Sequence, residues 1–284
     1  MTMQDTDADK RTDRGLPFLR WAGSKRKLIP VLSEYYPHDT TRYVEPFAGS
    51  ACLFFHLHPK RALLCDLNRD LIETYRAIQL DVERVIECIR RLPVGKAAYY
   101  KVRAVDPTRL TLAEQAARFI YLNKYCFNGL YRTNQRGEFN VPFGNTKGAD
   151  RISEERLRSA SRNLDEVTLV CGDFSVALEL TLPGDFVYMD PPYKVSDRRM
   201  FAEYQAAEFT YHDVSRLHSH LRKLDKRGIP FLVSYASSPE AEDLARGWNS
   251  EEVKTARSIA GFCGSRGSVH EVLVTNLTLR GVHA

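Results

Sequence analysis

Short apolar runs alternate with amphipathic stretches along most of the chain, and that alternation predicts an α/β fold. Residues 41–45, 61–65, 167–171, 185–189, 229–234 and 269–277 read as strands. The run Asp185-Phe186-Val187-Tyr188-Met189 is apolar on successive positions, as in a strand buried on both faces. Helical spacing is read at 50–58, 68–89, 111–123, 153–164 and 214–226. In the third of these, Leu112, Ala116, Phe119, Ile120 and Leu122 form the apolar side, and Ser153 is placed to cap the fourth. Residues 131–133 and 138–141 flank Asn134-Gln135-Arg136-Gly137, a hairpin signal. Strand–helix–strand units therefore bracket a helical middle. The architecture expected is a mostly parallel, doubly wound sheet built from 16–68 and 165–284, split by an insertion at 69–164. Residues 1–15 are polar and charged and read as a disordered tail rather than a leader sequence.

Charge sharpens this picture. The chain has 284 residues and a formal net charge of +5. Residues 84–162 hold 16 Lys and Arg against 7 Asp and Glu, a surplus of nine positive charges, so the remainder is net negative by four. A basic insertion on a mildly acidic body points to a nucleic-acid surface.

Other chemistries find little support. The six cysteines are scattered, with no C-x-x-C pair, and read as buried free thiols of a reducing compartment. His56 and His58, and His218 and His220, are two apart, which does not put two ligands on one helix face. No metal is assigned. No apolar run approaches the ~20 residues of a membrane span, and a cytoplasmic protein is expected.

The strand ends carry the informative residues. Asp190-Pro191-Pro192-Tyr193 follows the 185–189 strand, where open α/β sheets bind ligands. The prolines lack an N–H and fix φ near −65°, making a stiff corner with carbonyls to offer. A carboxylate beside a carbonyl accepts hydrogen bonds from a flat amino group, and a tyrosine next to them stacks on the ring that carries it. This is chemistry for the exocyclic amine of a base. Glu45-Pro46-Phe47-Ala48-Gly49-Ser50-Ala51 ends the first strand and opens a helix, Gly49 permitting close backbone approach. Asp66 ends the second strand, placed to accept from ribose hydroxyls. Cys171-Gly172-Asp173-Phe174 ends another, with Asp173 in reach of an amine and Phe174 of a purine ring. Neither G-x-G-x-x-G nor a P-loop is present. Together these ends describe a nucleoside site without a phosphate cradle, which fits S-adenosylmethionine.

With these motifs in place, the chain resembles the Dam-type, alpha-group DNA adenine-N6 methyltransferases. The resemblance spans about 16–277 and rests on F-L-R-W-A-G-S-K (18–25), V-E-P-F-A-G-S (44–50), C-D-L-N (65–68), D-P-P-Y (190–193) and S-I-A-G-F (258–262). Its most specific part is F-N-G-L-Y-R (127–132) followed by G-E-F-N-V-P-F-G (137–144). It implies a Rossmann-like methyltransferase sheet with an inserted helical target-recognition domain bearing a β-hairpin. It implies that Trp21 and Lys25 lie against the methionine part of S-adenosylmethionine, that Phe47 and Gly49 form the cofactor loop, that Asp66 holds the ribose, and that Phe174 flanks the adenine. Asp190, with the Pro191 carbonyl, Pro192 and Tyr193, would bind the target amine and its flipped-out base. Arg20, Asn128, Leu130, Arg132, Asn134, Arg136, Pro142 and Lys147 would face double-stranded DNA. Two positions depart from the family pattern: Ala51 stands where a second glycine is usual, and Asn145-Thr146 replace Arg and Tyr after Gly144. The second departure bears on strict GATC reading.

The resemblance leaves open a cognate restriction endonuclease in the same system and the oligomeric state. RNA and protein-glutamine methyltransferases usually carry Asn before the two prolines and lack the hairpin. A catalytically silent DNA-binding regulator on the same fold would not need Asp66, Asp190 and Tyr193 intact.

Overall fold

The structure, a computed structural model, describes residues 15–144, 152–192, 209–256 and 268–278. Its strands are β1 (Arg42–Glu45), β2 (Ala62–Asp66), β3 (Val167–Cys171), β4 (Asp185–Met189), β5 (Phe231–Ala236), β6 (Asn249–Ala256) and β7 (Ser268–Thr275). Its α-helices are α1 (Ile29–Glu34), α2 (Cys52–Leu57), α3 (Arg69–Arg90), α4 (Lys96–Ala104), α5 (Leu112–Tyr125), α6 (Glu154–Leu164), α7 (Phe174–Glu179), α8 (Tyr211–Lys226) and α9 (Pro239–Ala245). Among the described residues, the strands form one sheet in the order β3-β2-β1-β4-β5-β7-β6. From β3 to β5 all neighbours are parallel. β7 runs antiparallel to β5, and β6 antiparallel to β7.

The period of two in the strands explains the layering. Tyr43, Leu64, Phe186 and Tyr188 pack into one apolar cluster with Phe54 of α2, Tyr75 of α3 and Leu157 of α6. Their neighbours Val44, Leu63, Val187 and Met189 pack into a second cluster with Phe174 of α7, Leu217 of α8 and Leu244 of α9. Alternate side chains thus bury opposite faces, as a sheet covered by helices on both sides requires. A smaller third cluster joins Tyr99 and Val102 of α4, Tyr121 and Tyr125 of α5, and Val141 of the hairpin. The order reverses between β1 and β4, so their carboxyl ends open a crevice at the switch point. One ion pair ties the opposite ends of these two strands. Arg42 grips the nearly buried Asp185 through Nε at 3.1 Å and Nη2 at 2.7 Å.

Several local features differ from the sequence expectation. The long helix α3 is interrupted at Asp81, whose φ is −157° and whose carboxylate accepts from Arg84 N at 2.9 Å, so Asp81 caps a second helical segment. The hairpin closes by single bridges, Thr133 with Phe139 and Cys126 with Phe143, rather than by two continuous strands. Its turn is as expected: Gly137 N donates to Asn134 O at 2.9 Å, and Gly137 has the positive φ, 77°, that favours glycine. β6 was not foreseen, because its sequence Asn-Ser-Glu-Glu-Val-Lys-Thr-Ala is polar, as suits an edge strand.

Candidate active site

The parallel strands bring Glu45, Asp66, Cys171 and Asp190 to one edge of the sheet. Because β7 runs the other way, its early residue Glu271 reaches the same edge, opposite Ala236. Ser234 of β5 follows Val233, which pairs with Met189, and so lies beside Asp190. Its hydroxyl is 3.0 Å from Tyr188 Oη.

Lys25, in the segment ahead of α1, is 5% exposed. Its ammonium lies 2.7 Å from Asp190 Oδ1 and 3.4 Å from Glu271 Oε2. Burial pushes the Asp190 carboxyl up; Lys25 and Ser234 pull it back without cancelling the effect. Burial likewise raises Glu271, against the pull of Lys25 and with a further push from Asp190. Glu45 is 2% exposed and accepts from Tyr43 Oη at 3.0 Å. Burial holds its carboxyl well above the ordinary range, with Asp190 and Asp66 adding to the rise.

Asp66 is held by main chain. Its Oδ2 accepts from Gly49 N and its Oδ1 from Asn68 N, both at 2.9 Å. Burial raises its carboxyl and these N–H groups offset part of the rise. The Gly49 loop is fixed further by Tyr75 Oη, which donates to Gly49 O at 2.7 Å. Gly49 has φ 47°, and a Cβ there would sit 2.8 Å from Trp21 Cδ1, so a side chain would displace the indole. Trp21 in turn stacks on Tyr131 at 5.7 Å and Phe119 at 6.4 Å. Tyr131 Oη donates to Asp70 at 2.8 Å. The loop after β1, Trp21 and the start of the hairpin therefore form one continuous contact.

Ala51 has φ 49° and ψ 41°, the left-handed conformation that disfavours a side chain. A glycine at this position would relieve ~1–2 kcal/mol of backbone cost, against the burial of one methyl worth ~0.8 kcal/mol. Ala51→Gly is accordingly expected to raise the urea midpoint modestly while methyl transfer persists; a lower midpoint would mean that the methyl packing dominates.

Phe174 is buried, stacked on Phe47 at 5.3 Å, with Phe209 at 5.9 Å and the Arg216 guanidinium 4.8 Å from its centroid. Phe47 and Phe209 are the half-exposed members of this aromatic group. Asp173 accepts from Ser175 N at 3.0 Å, capping α7, and from Arg216 Nη2 at 2.6 Å. Burial opposes ionisation of Asp173, but Ser175 and Arg216 outweigh it and hold the carboxyl below its usual range. Pro191 is buried and Pro192 exposed. Tyr193, Lys147, Asn145, Thr146, the 258–262 motif and most of the 194–211 segment lie outside the described residues.

On the hairpin side, Arg20, Asn128, Arg136 and Pro142 are exposed, and Leu130 and Arg132 half-buried. Asn140 Oδ1 accepts from Arg132 Nε at 2.7 Å across the hairpin, which orients the guanidinium. Asn134 builds the turn: its Oδ1 accepts from Arg136 N and Glu138 N, and its Nδ2 donates to Glu138 at 2.8 Å. The main-chain groups of Arg20 are clamped by Asn123, at 2.9 and 2.7 Å. Phe127 is 42% exposed beside these residues. The basic surplus of the middle segment is partly internal. Arg84, Arg90, Arg91, Arg158 and Arg162 all pair with glutamates of α3 and α6. The charge count of this segment therefore overstates its unpaired positive charge.

Sequence reasoning missed Glu271, Ser234 and Arg216. Glu271 had one signal, an acid in the middle of the apolar strand Val-His-Glu-Val-Leu-Val. Arg216 and Ser234 had none, since only the fold brings them to Asp173 and Asp190.

A carboxylate at a proline corner on this edge of a methyltransferase-like sheet can be compared with known proteins. The family model for D12 class N6 adenine-specific DNA methyltransferases matches residues 21–259. The chain belongs to this family. A Type II methyltransferase, M1.LlaDCHI of Lactococcus lactis subsp. cremoris, is 35% identical over 92% of this chain and 95% of its own length. The Type II methyltransferase M.MjaIII of Methanocaldococcus jannaschii is 34% identical over 92% and 98%. The DNA adenine methylase of Escherichia coli is 31% identical over 90% and 93%. The D12 family accounts for the seven-stranded, mostly parallel sheet and makes DNA adenine the methyl acceptor. No helix among the described residues is long and apolar enough to cross a membrane.

Proposed function

We propose that this D12 methyltransferase takes its methyl group from S-adenosylmethionine, acts on an adenine swung out of duplex DNA, and reads GATC or a GATC-related target. One observation carries the reading: Asp190 sits at the switch-point end of β4, one-fifth exposed, next to the Pro191 corner.

The residues at the strand ends fit the cofactor. Asp66 and Asp190 present acceptor oxygens at this edge, which suits a ligand bearing hydroxyl and ammonium donors. When bound, S-adenosylmethionine supplies an electrophilic methyl on sulfur. Asp66 would accept from its ribose hydroxyls, using lone pairs left by Gly49 N and Asn68 N. Trp21 and Lys25 would meet the methionine part. Phe47 and Phe209 present the accessible surface of the aromatic group, and Phe174 backs them.

The N6 amine of adenine is a poor nucleophile because its lone pair is delocalised into the ring. The Asp190 carboxylate and the Pro191 carbonyl would accept its two hydrogens. That favours a pyramidal nitrogen and stabilises the positive charge that develops as the methyl arrives. Tyr193 would stack on the base. A base inside the duplex cannot reach this crevice, and extruding it costs a few kcal/mol. The insertion at 69–164 would be the target-reading part, and Asn128, Leu130, Arg132 and Pro142 its base-reading side. Arg20, Arg136 and Lys147 would hold phosphates, which position the duplex without specifying sequence. The compartment is the one that holds the DNA, taken as the cytoplasm.

Arg132→Ala is expected to cost ~1–3 kcal/mol in transition-state binding and to relax one guanine position. Initial rates on GATC duplexes carrying single substitutions, at fixed salt, test this. If the ratio of cognate to substituted rates is the same in wild type and variant, Arg132 is not a reading element.

A further inference from the structure

The mechanism above uses Asp190 but leaves a second buried acid unexplained. Glu271 lies inside the sheet on β7, 5% exposed, and its Oε2 has no hydrogen-bond partner among the described residues. What it has is the Lys25 ammonium at 3.4 Å, the same ammonium that sits 2.7 Å from Asp190. An acid left this deep in a sheet is costly unless it is paired. Here its pairing partner is the cation that also governs the methyl-transfer carboxylate.

We propose that Glu271 is a positioning residue for methyl transfer, holding the Lys25 ammonium between two carboxylates so that it does not close onto Asp190, whose lone pairs stay open to accept the target amine. The inference rests on the reading of Asp190 as that acceptor. The two acids differ in anchorage. Glu271 is fixed in the β5–β7–β6 ladder, whereas Lys25 is carried on the segment ahead of α1. The strand therefore sets where the ammonium sits. Without the Glu271 charge, Asp190 is the carboxylate left in an ion pair with Lys25 among the described residues. A closed Lys–Asp pair is a weaker acceptor for a neutral amine, because its lone pairs and charge are already engaged.

Other groups bear on Asp190 and must stay constant in any pH test. These are Glu45 on β1, Tyr188 on β4, Cys52 on α2 and Ser234 on β5. Glu271 adds a like charge, which disfavours ionisation of Asp190. Removing that charge lowers the pH at which Asp190 ionises, so the acid limb of the rate profile moves to lower pH.

The test is Glu271→Gln, which keeps the shape and removes the charge, with Glu271→Asp as the conservative variant. Single-turnover methyl transfer to a GATC duplex is measured across pH with the full chain. Dissociation constants for S-adenosylmethionine and DNA are measured alongside. The expected result is a plateau rate lower by on the order of tenfold or more, an acid limb moved to lower pH, both dissociation constants within about twofold, and partial recovery in Glu271→Asp. An unchanged rate with an unmoved acid limb overturns the proposal. So does a loss that merely tracks the folded fraction, with the limb unmoved. Asp190→Ala, run in parallel, separates this from failure of the acceptor reading: near-normal transfer by that variant removes the premise, whereas loss of transfer there with a wild-type Glu271→Gln rejects Glu271 alone.

Discussion

Asp190→Ala is expected to lower the rate of methyl transfer by ~10²–10³-fold, the usual consequence of deleting one preorganised partner of a developing charge. The reason is local. Asp190 follows a fully buried strand, pairs with the Lys25 ammonium at 2.7 Å, and offers its remaining acceptor capacity to the crevice. The alanine variant also leaves Lys25 with Glu271 as its remaining carboxylate contact at the strand ends. Calorimetry with S-adenosylmethionine and a thermal melt keep the two effects apart. Retained cofactor binding and folding with lost turnover supports the acceptor role, while near-normal turnover contradicts it.

The second large effect is expected at Asp66. Asp66→Ala should weaken S-adenosylmethionine binding by ~1.5–3 kcal/mol, the scale of a hydrogen bond to a charged group. This carboxylate also holds Gly49 N and Asn68 N, so the variant loosens the Gly49 loop and the start of α3 as well. Asp66→Asn retains one acceptor oxygen and loses the charge, and should fall between wild type and alanine. Unchanged calorimetric affinity in both variants would mean that the ribose is held elsewhere.

Much of this architecture was legible because its signals are local. The 167–171 and 185–189 strands have the bounds expected from their apolar runs, and the other core strands agree to within two residues. Capping residues did the same for helices: Ser153 caps α6, and Asn68 accepts from Leu71 N to start α3. Asp66, Gly49 and Asp190 meet at one edge because parallel strands put their carboxyl ends together, a consequence of fold class alone. What remained hidden depends on long-range pairing. Glu271 reaches the site because β7 is antiparallel, and no local pattern around residue 271 states a direction. The Asp173–Arg216 pair joins the start of α7 to α8, 43 residues apart. The short helices α4, α7 and α9 lack the length over which helical spacing becomes distinctive. β6 borrows its regularity from β7 and carries no apolar run of its own.

The most direct test of the account supplies methyl-labelled S-adenosylmethionine and a duplex with a single GATC to the purified chain, then separates the nucleosides of the hydrolysed DNA. Label is expected in N6-methyladenine, dependent on the GATC or on a closely related sequence, and lost in Asp190→Ala. Label in another nucleoside, or equal labelling of adenine in a duplex lacking any such sequence, would contradict it.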